Sequence, residues 1–252
     1  MGIFDKLRAP KSVPRWRAIK DRIAAMGYDE LAKLGEDAKE KRSELNEMIF
    51  AVDDRLALPR LESNNFQAPR DADWVWRPEA WRGDIGTKGI APAPSKVSLG
   101  SEIKVFHDCP NSSVIVRQLR NERTTDLSPF GISVEVFQFD GSFLSLALQF
   151  PQDAMNGLSI RHIFQMDMVM DAENNMAVFA RLNIKHGPNV EQLLNRIPTE
   201  QENVSLEFDL GYLKLNEKRL ERVWLDLIFE DPAMNYINVR DLSVYRRPRG
   251  EF

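Results

Sequence analysis

The residue types of a thiol nucleophile and its partners stand side by side at His107, Asp108 and Cys109. Nucleophilic sites are assembled from residues distant in sequence, and neighbours on a strand point to opposite faces, so this run does not make a catalytic set. We expect Cys109 to be a structural thiol. The remaining histidines, His162 and His186, lack the short spacing of metal ligands. The sequence therefore predicts neither a metal site nor a cofactor.

Glu207 and Asp209 come nearest to a pair of catalytic carboxylates, since a strand would place both on one face. A retaining glycosidase needs two carboxyl groups about 5 Å apart, and jelly-roll glycosidases carry them on one strand as Glu-x-Asp followed by a second Glu. Gly211 and Tyr212 occupy the positions of that second Glu. The acid/base residue is missing, so a solvated strand face explains the pair as well.

The polar side of the central strands holds a second set of candidates. An outward Trp is unusual, because outward positions of a solvated sheet are normally polar. Arginine beside an aromatic ring on a sheet suits a sugar or a carboxylated ligand. The alternative is that the N-terminal helices lie across this face. The candidate ligand-binding residues are Arg161, Arg181, Asn183, Glu207, Trp224 and Asp226.

Three of the five tryptophans fall within eight residues, at Trp74, Trp76 and Trp81. Sugar rings stack on indole faces, so one interpretation is an aromatic ledge that binds carbohydrate. The other is that a strand entering the fold anchors itself with these rings, each of which buries on the order of 200 Å².

The composition restricts the classes of partner. A formal net charge of −4 gives no overall attraction to nucleic acid or to an acidic membrane. A single cysteine excludes an internal disulfide, which is typical of a reducing compartment. No apolar stretch reaches the roughly 20 residues of a membrane span, and the start lacks a signal peptide. We expect a cytoplasmic protein with no nucleic-acid partner and no membrane span.

The elements that must position these residues are mostly strands. From Leu158 to Arg249, successive segments alternate apolar and polar residues with the period of a half-buried strand. In the last segment the parity slips between Val239 and Leu242, as a β-bulge would produce. Asp140-Gly141 is a hairpin signal, and residues 189–196 fit one or two helical turns. About nine strands without intervening helices predict a mainly β fold, an antiparallel, jelly-roll-like β-sandwich.

A helical hairpin is expected ahead of the sandwich. Ser12 and Pro14 favour the start of a first helix, and Asp29 can cap a second whose apolar residues recur seven apart. The predicted organisation is a hairpin over residues 1–58, a linker over 59–73 and a β-sandwich over 74–252. The hairpin either docks a partner and forms a homo-oligomer, or lies on the β domain.

The C-terminal strands resemble those of galactose-binding-like jelly rolls and carbohydrate-binding modules. The resemblance rests on residues 224–229 (WLDLIF), a turn, and residues 239–245 (VRDLSVY). The segments 137–146 and 181–187 resemble sequences of an alphaproteobacterial family with no assigned function. The first resemblance implies the fold, and the second implies no catalytic residues.

These observations favour a non-catalytic binding or adaptor protein. Its jelly-roll face would bind a carbohydrate or a protein partner, and its helices would dock or oligomerise. One alternative is a carbohydrate-active enzyme of the glycoside hydrolase type, which requires an open cleft holding Glu207 and a second carboxylate. Another alternative is a structural subunit of a larger particle or envelope assembly.

Overall fold

The structure is a computed structural model of the chain and describes residues 19, 22–57, 69–87, 89–110, 113–123 and 125–250. The chain divides into two compact units, Met1–Ile49 and Phe50–Phe252. The predicted linker over residues 59–73 lies mostly outside the described residues. Its two boundaries therefore stay predictions.

A long helix, Tyr28–Ala57, confirms the second of the two predicted helices. Asp29 and Glu30 in its first turn interact favourably with the positive end of the helix dipole. The first predicted helix falls mostly on residues outside the described ones, and a single 3₁₀ turn, Ile23–Ala25, lies near its expected end. The pairing of two helices therefore stays a prediction.

The described residues from Trp74 to Pro248 form thirteen strands, one short α-helix, Glu79–Arg82, and three 3₁₀ turns. The strands are β1 (Trp74–Trp76), β2 (Gly89–Ile90), β3 (Val97–Leu99), β4 (Ile103–His107), β5 (Val114–Arg120), β6 (Phe130–Val136), β7 (Leu144–Gln149), β8 (His162–Ala172), β9 (Val178–His186), β10 (Asn189–Ile197), β11 (Asn203–Asp209), β12 (Leu220–Phe229) and β13 (Asn235–Pro248).

The strands make two antiparallel sheets, which confirms the predicted mainly β sandwich. One sheet has seven strands in the order β11-β8-β13-β6-β5-β2, with β1 also paired to β13. The other has six strands in the order β10-β9-β12-β7-β4-β3. Apolar residues at every second position of both sheets join one buried cluster, as in β12, where Val223, Leu225, Leu227 and Phe229 are all buried. Burial of each such side chain contributes about 1.5–3 kcal/mol.

The predicted β-bulge is confirmed in β13. Its register against β8 shifts between Val239 and Asp241, so the extra residue is Arg240. One edge of β13 pairs with β6 up to Val239 and with β1 from Val244 onward. In the gap between them, the Trp81 indole N–H donates to the Val239 carbonyl at 2.9 Å.

Residues 189–197 are a strand, so the predicted helical turns are wrong. Val190 and Leu194 are apolar and four apart, which fits a helix face, yet β10 pairs with β9 at all nine positions. Both apolar side chains point away from the core, on the same side as Gln192. The local apolar spacing was misleading because these residues belong to an edge strand.

The Asp140-Gly141 hairpin is also wrong, because β6 and β7 lie in different sheets. The chain turns between the sheets here, and the Asp108 carboxylate accepts hydrogen bonds from the backbone N–H of Ser142 at 2.7 Å and of Phe143 at 3.2 Å. A Cβ at Gly141 would lie 2.8 Å from the Cys109 backbone nitrogen, so the close approach requires glycine. A carboxylate more than 30 residues away therefore stabilises the turn.

Candidate functional site

A groove of about 530 Å³ opens on the outer face of the seven-stranded sheet. Three neighbouring strands, β11, β8 and β13, form its floor, and their registers place outward side chains in three rows. Leu127, from the loop before β6, forms one wall. We call this the polar groove. The rows are Asn203, Val169 and Asp241; Ser205, Asp167 and Ser243; and, at one end, Glu207, Gln165 and Tyr245.

Hydrogen bonds among four side chains fix the floor of the polar groove. The Gln165 Nε2 amide carries two hydrogens and lies within hydrogen-bond distance of three acceptors, Tyr245 Oη at 2.8 Å, Ser205 Oγ at 2.9 Å and Asp167 Oδ1 at 3.2 Å. The Tyr245 hydroxyl donates to the other oxygen of Asp167. Burial, together with this bond to a carboxylate, raises the pKa of Tyr245. The phenol therefore stays protonated and its hydrogen bond stays in place at neutral pH.

A smaller cavity of about 230 Å³ continues the polar groove and shares Leu127, Val169, Asn203 and Asp241 with it. Its wall holds Arg240, the bulge residue, whose side chain is only 6% exposed. The Arg240 guanidinium forms ion pairs with three carboxylates: Asp171 at 2.6 Å, Glu202 at 3.1 Å and Asp126 at 3.6 Å. Arg123 also pairs with Asp171 and Glu202, so three carboxylates share two guanidinium groups, and this end of the groove does not favour an anionic ligand.

The Asp241 carboxylate ties the polar groove to the start of the sandwich. Arg77, directly after β1, pairs with it through two nitrogens, each 3.0 Å from a carboxylate oxygen. Both side chains are buried. Burial raises the pKa of Asp241, although the Arg77 charge opposes that effect. The pair holds β1, the bulge and the groove rim in one arrangement.

Glu207 and Arg161 lie on the seven-stranded sheet side, apart from the other predicted polar candidates. Glu207 is exposed on β11 and pairs with Arg247 at 2.6 Å, while Asp209 pairs with Arg249 at 3.1 Å. Arg161 is exposed in the turn before β8, where its carbonyl accepts a hydrogen bond from the Arg249 backbone N–H. Each carboxylate of the expected pair is thus bound by its own arginine.

Arg181, Asn183, Trp224 and Asp226 lie together on the outer face of the six-stranded sheet, since β9 and β12 are adjacent as the prediction required. The Asp226 carboxylate accepts from Arg181 Nη2 at 2.9 Å and from Asn183 Nδ2 at 3.0 Å. Gln192 donates to Asn183 Oδ1 at 2.9 Å. We call these four polar residues the Arg181 network. Arg181 and Asp226 carry opposite charges and pair directly, so the network's charges are balanced.

Trp224 beside this network is half-buried, and the Arg222 guanidinium lies over its ring, 4.8 Å from the ring centroid. A cation over an indole face contributes about 0.5–1 kcal/mol at an exposed site. The outward Trp is therefore covered on one side by its own strand.

Trp74, Trp76 and Trp81 are buried, so they do not form an aromatic ledge. Trp74 and Trp76 pack against the Phe150 ring, with centroids 5.7 Å and 4.8 Å away. Burial follows from β1 pairing with the central strand β13, which turns these rings into the core. Their burial fits the other interpretation, in which a strand entering the fold is anchored by large apolar rings.

Sequence reasoning missed Gln165, Asp167, Ser205, Ser243 and Tyr245 as a possible site. Each was on a polar or surface position of its strand, which is ordinary for a solvated face. Only the strand order β11-β8-β13 brings them together, and that order is not encoded in local alternation.

Within the described residues, no group of three or more His, Cys, Asp or Glu side chains is placed to hold a metal ion. No helix in that part of the chain is long and apolar enough to cross a membrane.

The chain belongs to a family of unknown function, DUF6478, whose model matches residues 1–252. This confirms the resemblance to a family without an assigned function. The comparison with curated proteins gave no match.

Several solved structures are similar to parts of the chain. A family 11 carbohydrate-binding module from Clostridium thermocellum is 9% identical, with a TM-score of 0.40 over 66% of this chain and 97% of that one. A family 22 module of Clostridium thermocellum Xyn10B is 8% identical, with a TM-score of 0.37 over 74% and 99%. Tailspike protein 4 of bacteriophage CBA120 is 8% identical, with a TM-score of 0.42 over 57% of this chain, which spans 19% of the tailspike chain.

Proposed function

We propose that this protein is a non-catalytic binding protein that holds an uncharged carbohydrate in the polar groove. The observation that carries the proposal is the arrangement of amide, hydroxyl and carboxylate groups in rows on the floor of an open groove of about 530 Å³. Small-molecule sites have volumes of about 300–1,000 Å³. The polar groove therefore has the size and the lining of a small-ligand site.

The chemistry of the floor suits a ligand with many hydroxyl groups. The Asp167 carboxylate and the Gln165 carbonyl accept hydrogen bonds, while Ser205 and Ser243 both donate and accept. Because the floor is held by its own hydrogen bonds, little order has to be imposed when a ligand binds. Leu127, which is 58% exposed, offers an apolar contact to the C–H face of a sugar. A carbohydrate combines these two kinds of surface.

The charges favour a binding role over glycoside hydrolysis, which is the alternative function. Hydrolysis needs one carboxyl group that donates a proton and a second that acts as nucleophile or base. Glu207 and Asp209 are each paired with an arginine, and Asp241 is paired with Arg77. Asp167 accepts the Tyr245 hydroxyl. We therefore expect binding without turnover.

The long helix supports a docking or self-association role as a second part of the proposal. Leu45, Met48 and Ile49 recur at helical spacing on it and are about half exposed, at 54%, 57% and 49%. Apolar side chains at positions i, i+3 and i+4 share one face of a helix. This face would suit a homo-oligomer, a docking partner, or the subunit contacts of a larger assembly.

Glycan-array screening of the full chain, followed by calorimetry on the sugars that bind, tests the proposal. Ser205→Arg should abolish binding, because Ser205 is exposed and a long side chain there fills the polar groove without disturbing the core. Trp224→Ala on the six-stranded sheet is the matched control and should leave affinity unchanged. Binding that survives Ser205→Arg and is lost in Trp224→Ala would move the site to the Arg181 network. Turnover of a bound sugar, abolished by Glu207→Gln, would establish the enzyme alternative.

A further inference from the structure

The nine-residue strand β10 forms one edge of the six-stranded sheet. It pairs with β9 on one side, and no strand in the described part of the chain pairs with its other side. Val190 and Leu194 on its outer face are 43% and 58% exposed. Native edge strands are usually short, charged or interrupted by proline, because an open edge invites pairing with another strand. A long edge carrying apolar residues is therefore suited to such pairing.

The edge is already held in an extended form. Every residue of β10 is in register with β9, and Gln192 is hydrogen-bonded to Asn183 at 2.9 Å. On the inner side, the Asn195 amide donates to the Glu207 carbonyl of β11, also at 2.9 Å, which ties the edge to the other sheet. A preorganised strand loses little conformational entropy when a partner strand adds to it.

We propose that β10 pairs antiparallel with β10 of a second copy of this chain, about a two-fold axis at Gln192. The two six-stranded sheets would then form one continuous sheet. Directly opposed residues of an antiparallel pair lie on the same face. Val190 then faces the partner's Leu194, and by symmetry Leu194 faces the partner's Val190. Two exposed apolar residues per copy are thereby covered.

The charges on β10 are compatible with this register. Its charged residues are Glu191 and Arg196. With the axis at Gln192, Glu191 faces the partner's Leu193, so no like charges are opposed. A two-fold symmetric contact uses the same surface of both copies, and β10 meets this requirement because its apolar residues face each other and its charges do not clash. A second copy is therefore the occupant that this edge fits.

Disulfide trapping tests the register on the full chain. In Gln192→Cys the two new thiols are directly opposed, with Cα atoms about 4.5–5.5 Å apart, which is within disulfide reach. In Leu194→Cys they are four strand positions out of register, about 13 Å apart, and beyond reach. Cys109 is buried and gives little background. We expect a linked dimer for Gln192→Cys on a non-reducing gel, and monomers for Leu194→Cys and for Tyr212→Cys, an exposed position elsewhere.

Sedimentation velocity over a range of concentrations tests the contact without a crosslink. The parent chain should form a dimer, and Leu194→Lys should be monomeric with an unchanged circular dichroism spectrum. A parent chain that is monomeric at every concentration overturns the proposal, as does crosslinking at position 194 instead of 192. A dimer that survives Leu194→Lys and is lost in Leu45→Glu would assign the contact to the long helix and overturn it too.

Discussion

At the scale of single residues, Arg77 and Asp241 decide whether the polar groove keeps its shape. Their ion pair is buried, with side-chain exposures of 0% and 5%. Removing one partner of such a pair leaves an uncompensated charge in the interior, which typically costs about 3–5 kcal/mol. Replacing both partners by apolar residues avoids that cost. The loss caused by a single substitution therefore measures the cost of the buried charge that remains, and not the net contribution of the pair.

We accordingly expect Arg77→Ala to lower the free energy of unfolding by roughly 3–5 kcal/mol. The double variant Arg77→Met with Asp241→Leu should recover most of that loss. Urea unfolding followed by circular dichroism measures both. If Arg77→Ala were as stable as the parent chain, the unpaired Asp241 carboxylate would carry no cost, and this account of the buried pair would be wrong.

Glu102 makes a second residue-scale prediction, concerning pH. Burial raises the pKa of Glu102 from 4.5 to about 7, and repulsion from the Glu79 carboxylate acts in the same direction. Between pH 4.5 and about pH 7 the folded chain therefore holds a proton on Glu102 that the unfolded chain has already released. The resulting stability is fully present below the unfolded pKa of 4.5 and is lost as the pH rises through about 7.

Glu102→Gln should remove this pH dependence, because the amide keeps a hydrogen-bond acceptor and has no charge. Relative to the parent chain, the variant should gain on the order of 2–3 kcal/mol between pH 5 and pH 8, at 1.36 kcal/mol per pKa unit. Urea unfolding at several pH values gives the difference between the two proteins. A difference that stays constant across this range would contradict the assignment.

At the scale of elements, the bulge in β13 explains the position of Trp81. The bulge separates β6 from β1, and the carbonyls left between them need donors. Trp81 supplies one to Val239, while Ser128 and Asn121 supply theirs to Arg240 at 2.7 Å and 2.8 Å. An unsatisfied buried carbonyl costs about 1–3 kcal/mol. The indole therefore stabilises a break in the sheet.

Trp81→Phe should consequently lower the free energy of unfolding by about 1–3 kcal/mol, because it keeps an aromatic ring but removes the N–H. Carbohydrate affinity should not change if the ligand lies in the polar groove. Trp224→Phe is the control, since the half-buried Trp224 ring faces outward, and we expect less than about 0.5 kcal/mol there. Chemical denaturation and calorimetry measure the two quantities. An equal loss in both variants would contradict the role given to the indole.

Most strands were predictable from alternation, although β10 was not. The bulge was predictable too, because one extra residue leaves a parity slip between Val239 and Leu242. Sheet membership was not predictable in this way. Arg181 and Glu207 share a polar pattern, yet they lie on different sheets, since alternation specifies a side of a strand and not its neighbours. The same limit hid the polar groove, whose rows depend on β8 lying between β11 and β13. Which strands are neighbours is decided by pairing between segments that are distant in sequence.

At the scale of the whole molecule, all thirteen strands lie within residues 74–248, and their pairing needs no residue of the long helix. We expect a chain that begins at Asp71 to fold, to keep the thermal midpoint of the second unit and to bind the same sugars. Thermal unfolding by circular dichroism and calorimetry check this. A shortened chain that fails to fold would place essential contacts before Asp71.

The position of β13 also has a consequence for how the chain is made. The central strand of the seven-stranded sheet pairs with β1, β6 and β8, yet it is the last described strand to leave the ribosome. Until residue 248 has been synthesised, β6 and β8 have no common neighbour and the Trp-rich strand β1 has no sheet to join. Contacts of such long sequence separation form slowly. The strands β1, β6 and β8 therefore lack their central neighbour until synthesis reaches β13, and a chain cut short before β13 should expose apolar surface and aggregate.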